Sequence, residues 1–123
     1  MKRILLAEDE EILRMLVMDT LEDSGFEIDE AADGKEALDL IKQNTYDLIM
    51  LDYMMPVYTG FEIIEMIREK ARSEGTKIVM LSAKSQQYEQ DKVLAAGADY
   101  FISKPFSPAQ LLGKVEEILN GEN

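Results

Sequence analysis

Five short apolar segments, each followed by a stretch with helix-like spacing, constrain the fold more than any other feature of this sequence. These segments are residues 3–7, 27–32, 47–51, 77–81 and 100–103. Strands that alternate with helices predict an α/β fold, a mostly parallel sheet covered by helices on both faces. The third and fourth segments are continuously apolar, which is typical of strands buried on both faces. The second is polar at three positions and is predicted to be an edge strand.

The predicted helices begin and end at residues suited to those positions. Asp33-Gly34, Thr59-Gly60 and Ser107-Pro108 precede helical segments, and glycines at positions 25, 75 and 97 follow them. No internal repeat or linker divides the 123 residues. We therefore expect a single domain over residues 1–123, which acts through another molecule rather than through an attached output domain.

Composition excludes several classes of function. The chain has neither cysteine nor histidine, which removes disulfides, thiolate zinc sites, cysteine nucleophiles and histidine bases. Its net charge of −12 opposes direct binding to nucleic acid or to an anionic membrane. No apolar run approaches the roughly 18 residues of a membrane helix, and no signal-peptide pattern opens the chain. We expect a cytoplasmic protein whose carboxylates bind a hard cation.

Polar side chains follow four of the five predicted strands. Glu8 and Asp9 come after the first strand, Asp52 after the third, Ser82 after the fourth and Lys104 after the fifth. In an open parallel sheet the carboxyl ends of the strands share one edge, where ligands bind at the point of reversed strand order. These five side chains are therefore predicted to converge.

The converging residue types predict a particular chemistry. Three crowded carboxylates repel one another, and Mg²⁺, which prefers oxygen ligands, would offset that repulsion. One carboxylate could then attack phosphorus, while Lys104 neutralises the phosphoryl oxygens and Ser82 donates a hydrogen bond to them. An aspartate after a strand, such as Asp9 or Asp52 taken alone, is more often a helix cap or a turn residue than a site residue.

Four segments of the chain together resemble a known protein family. The segments ILLAEDE at 4–10, LDYMMP at 51–56 with Gly60, LSA at 81–83 and KPF at 104–106 resemble the motifs of response-regulator receiver domains of bacterial two-component systems. The resemblance covers essentially the whole chain. It implies a flavodoxin-like fold, a five-stranded parallel sheet of order 2-1-3-4-5 flanked by five helices.

The same resemblance implies a role for each site residue. Asp52 would be the phosphoacceptor and Lys104 would pair with the phosphoryl group. Asp9, Asp52, the backbone carbonyl of Met54 and Glu8 would bind Mg²⁺. The phosphodonor would be a histidine kinase or a histidine phosphotransfer protein. Such a receiver catalyses its own phosphorylation and dephosphorylation rather than turning over a substrate.

A switch and an output are also implied. Ser82 would be the switch hydroxyl and Phe101 the switch aromatic, and together they would reshape the face of the fourth helix, fifth strand and fifth helix. That face would bind an output protein that the sequence does not identify, and the chain is expected to be a monomer. Met54 and Lys84, which flank the phosphoryl site, would influence how fast the acyl phosphate hydrolyses. The resemblance also implies a cis peptide bond before Pro105.

This chain departs from the family pattern at positions 8 and 101 and in the run 57–59 after Pro56, and purely structural alternatives stay open for three site residues. The family commonly has Asp where Glu8 stands and frequently Tyr where Phe101 stands. Glu8 could be a solvated neighbour of the metal site rather than a ligand. Ser82 could be a turn hydroxyl, and Phe101 an ordinary core aromatic.

The first helix carries a wider apolar arc than one buried stripe needs. We expect Leu13, Arg14 and nearby methionines, with Pro105, to help dock the phosphodonor. The alternative is that these residues belong to the core and to scattered apolar surface.

Two other functions compete with the receiver hypothesis. A Mg²⁺-dependent phosphatase with an aspartate nucleophile also places carboxylates at strand ends, but 123 residues leave little room for the cap that selects its substrate. A receiver-like binding module that no longer accepts phosphate is the second. The complete set of Asp9, Asp52, Ser82 and Lys104 argues against it.

Overall fold

Strands and helices alternate along the whole described chain. The computed structural model describes residues 2–83 and 86–120. The strands are β1 Arg3–Ala7, β2 Glu27–Ala31, β3 Leu48–Asp52, β4 Lys77–Ser82 and β5 Tyr100–Ser103. The helices are α1 Glu11–Asp23, α2 Gly34–Gln43, α3 Gly60–Glu74, α4 Gln87–Ala96 and α5 Pro108–Asn120. The strands form one parallel sheet of order β2-β1-β3-β4-β5, which confirms the predicted fold.

Two strand ends lie one residue later than the sequence predicted. Asp52 and Ser82 are the last residues of β3 and β4 and do not simply follow them, because Asp52 pairs with Leu81 and Ser82 with Ser103 in the ladder. β2 ends one residue earlier, at Ala31. The ladder therefore fixes the backbone of two of the candidate site residues.

Each face of the sheet carries its own apolar core. Alternate strand residues, such as Leu5 and Ile49, pack with α2, α3 and α4, whereas their neighbours Leu6 and Met50 pack with α1 and α5. Both sets are almost completely buried, as expected for a parallel sheet covered on both sides. The residues within the described ranges include no helix with the length and apolar composition needed to cross a membrane.

β2 lies at an edge of the sheet, as its polar residues predicted. The predicted helix starts are also confirmed. Asp33 caps α2 by accepting a hydrogen bond from the Glu36 N–H at 2.8 Å. Thr59 and Glu62 form a reciprocal capping box at the start of α3.

The loop between β3 and α3 is held tightly against the end of β3. A Cβ atom on Gly60 would lie only 2.5 Å from the carbonyl oxygen of Asp52, so α3 can begin this close to the strand only with glycine there. Within the loop Val57 has a φ of 74°. The Tyr58 N–H donates to the Pro56 carbonyl at 2.9 Å, so Val57 is the central residue of a γ-turn with positive φ. This conformation is strained for a β-branched residue.

Relief of this strain should stabilise the protein. We expect Val57→Gly to raise the free energy of unfolding by about 1 kcal/mol, because the left-handed conformation costs an L-residue roughly 1–2 kcal/mol and glycine's entropy offsets part of the gain. Urea denaturation measures the change. Val57→Ala is the matched control and should gain much less, since it keeps a Cβ atom. A Val57→Gly protein no more stable than Val57→Ala would contradict the strain.

Candidate functional site

Polar side chains from four strand ends line one cleft of about 550 Å³ at the carboxyl edge of the sheet. Strand order reverses here, because β1 lies between β2 and β3. The lining residues are Glu8, Asp9, Glu10, Asp52, Tyr53, Met54, Ser82, Ala83 and Lys104. The structure thus brings together every residue predicted to act on a phosphoryl group or on Mg²⁺.

The Lys104 ammonium group joins two carboxylates across this cleft. Its Nζ donates to Oε1 of Glu8 at 2.9 Å and to Oδ1 of Asp52 at 3.1 Å. The Lys104 N–H donates to the Ser82 carbonyl at 2.9 Å, so the residue after β5 is fixed against the end of β4. The Lys104-Pro105 peptide bond is cis, as the family resemblance implied.

Glu8 is an integral part of the site and not a solvated neighbour, which corrects that alternative. It is only 1% exposed. Its Oε2 accepts a hydrogen bond from the Glu10 N–H at 3.1 Å, and its own N–H donates to the Ala31 carbonyl at 3.0 Å. Backbone and Lys104 together therefore fix both the position and the direction of this carboxylate.

The charged groups of the site shift the pKa values of Asp52 and Lys104. Burial, followed by the negative charge of Glu8, raises the pKa of Asp52 from 3.8 to about 7, although Lys104 acts in the opposite direction. For Lys104, burial disfavours the charged form, but the hydrogen bond to Glu8 and the charges of both carboxylates outweigh it and raise the pKa. One ammonium group faces three carboxylates, so ionised Asp52 lacks compensating positive charge.

The donor set of the cleft fits Mg²⁺. One carboxylate oxygen from each of Glu8, Asp9 and Asp52 lies within 4.8 Å of the others. Asp9 is exposed, whereas Glu8 and Asp52 are buried. Carboxylate oxygens partly open to water match the preference of Mg²⁺ for a few protein ligands completed by water and phosphate. An added cation would also relieve the repulsion that raises the pKa of Asp52.

The two predicted switch residues lie at different distances from the chemistry. Ser82 is 2% exposed and lines the acidic cleft. Phe101 pairs with Met80 in the ladder, is half-buried and lines a separate cleft with Pro105 and Phe106. Lys84, predicted to flank the phosphoryl site, lies outside the described residues.

The predicted docking residues lie beside the acidic cleft. Leu13 and Pro105 line one small groove with Glu10, Lys104 and Phe106. Three large apolar side chains of α1 are exposed, and all three belong to the wide apolar arc that the sequence indicated for this helix. They are Ile12, Met15 and Leu16, with 73%, 55% and 49% of their surface exposed.

Arg14 has a structural contact that the sequence did not predict. Its Nη1 donates to the Glu8 carbonyl at 2.7 Å and its Nε donates to Oε1 of Glu30 at 2.9 Å. Arg14 therefore supports the backbone of a site residue and links α1 to β2. Nothing in a single sequence pairs an arginine with a carbonyl six residues away, so spacing gave no signal of this contact.

Comparison with known proteins gives a consistent result. The family described as response regulator receiver domain matches residues 4–116. The phosphate regulon transcriptional regulatory protein PhoB of Rhizobium meliloti is 37% identical over 95% of this chain and 52% of its own length. Response regulator ArlR of Staphylococcus saprophyticus is 39% identical over 97% of this chain and 53% of its own length. This chain spans about half the length of these relatives.

Solved structures agree over nearly the whole chain. Chemotaxis response regulator CheY4 of Vibrio cholerae superposes with a TM-score of 0.90 at 35% identity, covering 97% of this chain and 99% of its own. Response regulator protein TrrA of Thermotoga maritima, solved in complex with Mg²⁺-BeF, gives a TM-score of 0.83 at 39% identity, covering 97% and 100%.

The raised pKa of Asp52 predicts a pH-dependent effect of its removal. The native state binds an extra proton between pH 4 and 7, so wild-type stability falls as the pH rises through that window. We expect Asp52→Asn to stabilise the metal-free protein by roughly 2 kcal/mol at pH 8 and by less than half of that at pH 5. Urea denaturation in EDTA measures both values, with exposed Asp19→Asn as control. Equal effects at the two pH values would contradict the electrostatic origin.

Proposed function

Because the chain belongs to the response regulator receiver domain family, we propose that Asp52 accepts a phosphoryl group from the phosphohistidine of a histidine kinase or a histidine phosphotransfer protein. Receivers of this family are phosphoacceptor switches of two-component signalling. One observation carries the assignment: Asp52 lies 3.1 Å from the Lys104 ammonium group in a cleft that also holds Glu8 and Asp9.

The proposed transfer needs no other nucleophile. An ionised oxygen of Asp52 attacks phosphorus, an O–P bond forms, and the P–N bond to the donor imidazole breaks. The imidazole retains the electron pair of that bond and takes up a proton. Lys104 neutralises charge on the phosphoryl oxygens, and the Ser82 hydroxyl donates a hydrogen bond to one of them.

We propose that Asp9, Asp52, Glu8 and the backbone carbonyl of Met54 hold Mg²⁺ for this transfer. The Thermotoga relative was solved in complex with Mg²⁺-BeF, and the three carboxylates of this chain provide oxygen ligands within 4.8 Å of one another. Bound Mg²⁺ supplies positive charge that favours ionised Asp52 and offsets the charge of the incoming phosphoryl group. Glu8 would keep its hydrogen bond to Lys104, so it would contact both cations.

Phosphorylation is proposed to change the face formed by α4, β5 and α5. Ser82 would move towards the phosphoryl oxygens, which would draw the end of β4 inward, and half-buried Phe101 would follow. Phe101 lacks a hydroxyl, so it would signal through packing alone. The altered face would bind an output protein, and water would later hydrolyse the acyl phosphate within the same site, next to Met54.

The docking surface for the phosphodonor is proposed to lie on α1 and the loop after β5. Leu13 and Pro105 line a groove next to Lys104, and exposed Ile12 and Met15 continue the apolar surface along α1. Arg14 would act through the backbone of Glu8 more than through direct contact, because its guanidinium group is already bonded there. An apolar surface beside a reactive cleft would position a phosphohistidine without a strong charge requirement.

The assignment of Asp52 is tested by phosphorylation with a small donor. Wild-type protein incubated with phosphoramidate and Mg²⁺ should gain one phosphoryl group, stable in acid and labile in base, and EDTA should prevent the gain. Asp52→Asn should gain none, whereas the surface control Asp39→Asn should behave as wild type. Intact-mass spectrometry gives the result. A wild type that stays unmodified, or an Asp52→Asn protein that is modified equally, would overturn the assignment.

The role of Glu8 in metal binding is tested separately. Glu8→Gln removes one of three negative charges while keeping the shape of the side chain. We expect Mg²⁺ affinity to fall about tenfold, in the range that loss of a supporting group at a metal site produces. Isothermal titration calorimetry measures the affinity. Glu10→Gln is the matched control, since Glu10 lines the same cleft outside the carboxylate cluster. Equal affinities for the two variants would exclude Glu8.

A further inference from the structure

A second cleft lies at the opposite, amino edge of the sheet. Its volume is about 330 Å³, and it separates the carboxyl-terminal ends of α3 and α4. Buried side chains of Ala71, Ile78 and Ala98 belong to its lining. The size falls at the lower end of the range that holds small-molecule ligands. None of the residues proposed to act in phosphorylation lines this cleft.

Three cationic side chains surround the cleft: Arg68 and Arg72 from α3 and Lys77 from β4. They are exposed at the surface. Their convergence is notable in a chain that has 25 acidic and only 13 basic residues. With that composition, a cleft of average surroundings would have about two carboxylates for each cation.

None of these three cations forms a salt bridge with another residue that the structure describes. Twelve of the thirteen basic residues lie in the described part of the chain, and six of those twelve form no salt bridge there. Arg68, Arg72 and Lys77 are half of that set, although acidic residues are abundant on neighbouring surfaces. The remaining three, Lys2, Lys42 and Lys92, line none of this cleft.

Gly97 makes room for one of the arginines. A Cβ atom on Gly97 would lie 3.1 Å from Cβ of Arg68 and 3.6 Å from its Cδ, so the stem of the arginine passes directly over the glycine. The Arg68 Nη1 atom reaches the Ala96 carbonyl at 3.5 Å. Arg68 is therefore held across the gap between α3 and α4. This contact uses one of the five N–H donors of its guanidinium group.

The local charge balance favours an anion. Against three cations stand the Asp99 carboxylate, which accepts a hydrogen bond from the Ile78 N–H at 2.8 Å, and two helix carboxyl termini of about −0.5 charge each. The cleft therefore keeps a net charge of about +1. Two guanidinium groups offer paired N–H donors that match the oxygens of a phosphate.

We propose that this cleft binds a small multivalent phosphate, at a site separate from the phosphoacceptor. The proposal does not depend on the function assigned to Asp52. Two arginines supply the paired donors, Lys77 supplies a further charge, and the apolar floor accommodates a small organic group attached to the phosphate. Free inorganic polyphosphates and small phosphate esters share this chemistry.

The probe is inorganic pyrophosphate, titrated in EDTA so that no metal bridges it to the acidic cleft. We expect saturable binding by calorimetry and amide shifts by NMR centred on Thr76–Ile78 and Gly97–Ala98. Arg68→Gln with Arg72→Gln should weaken binding at least tenfold. The charge-preserving double variant with lysine at both positions should fall between, because it keeps the charges and loses the paired donors.

Lys42→Gln with Lys92→Gln is the control for net charge and should bind as wild type. Citrate should bind more weakly than pyrophosphate. The proposal is overturned by absence of saturable binding, by equal loss in the control pair, or by citrate binding as tightly. Unchanged binding in the doubly substituted Arg68 and Arg72 protein would overturn it as well. Circular dichroism of each variant establishes that the fold is retained, and these exposed side chains contribute little to the core.

Discussion

The carboxyl edge of this sheet depends on the ion pairs that the Lys104 ammonium group forms with Glu8 and Asp52. The ammonium group lies within 3.1 Å of these two carboxylates, which are themselves almost completely buried. Without a cation, Glu8 and Asp52 would be unpaired charges in a poorly solvated site, an arrangement that costs several kcal/mol. The parallel sheet brings Lys104 to this place, because β5 lies beside β4 and the Lys104 N–H donates to the Ser82 carbonyl at the end of β4.

The charge of Lys104 neutralises the carboxylates of the site only in part, and the remaining negative charge explains the chemistry proposed for it. One ammonium group cannot neutralise Glu8, Asp9 and Asp52 together, and burial with the added charge of Glu8 raises the pKa of Asp52 to about 7. A divalent cation bound there would relieve this repulsion, and it would also offset the charge of an incoming phosphoryl group. The proposed binding of a metal ion and of a phosphoryl group would thus follow from a charge imbalance in the metal-free protein.

The sequence predicted the architecture because it depends on patterns that a single chain carries. Continuous apolar runs identified the buried strands, acidic positions placed β2 at an edge, and Asp33 and Thr59 marked helix starts. Strand-end residues predicted the convergence of Asp9, Asp52 and Lys104. Tertiary contacts without periodicity were not predictable, notably the Arg14 bond to the Glu8 carbonyl. The burial of Glu8 was equally hidden, because its neighbour Asp9 in the same motif is exposed.

The two edges of the sheet differ in what they need in order to bind an anion. At the carboxyl edge the carboxylates outnumber the one lysine, so an anion would meet a net negative charge unless a cation accompanied it. At the amino edge the charges of Arg68, Arg72 and Lys77 exceed those of Asp99 and the two helix ends, so the proposed phosphate would need no metal there. Both clefts involve β4, whose first residue Lys77 faces one and whose last residue Ser82 lines the other. A ligand at the amino edge would therefore contact the same strand whose far end is proposed to move on phosphorylation, and any coupling between the two would pass along it.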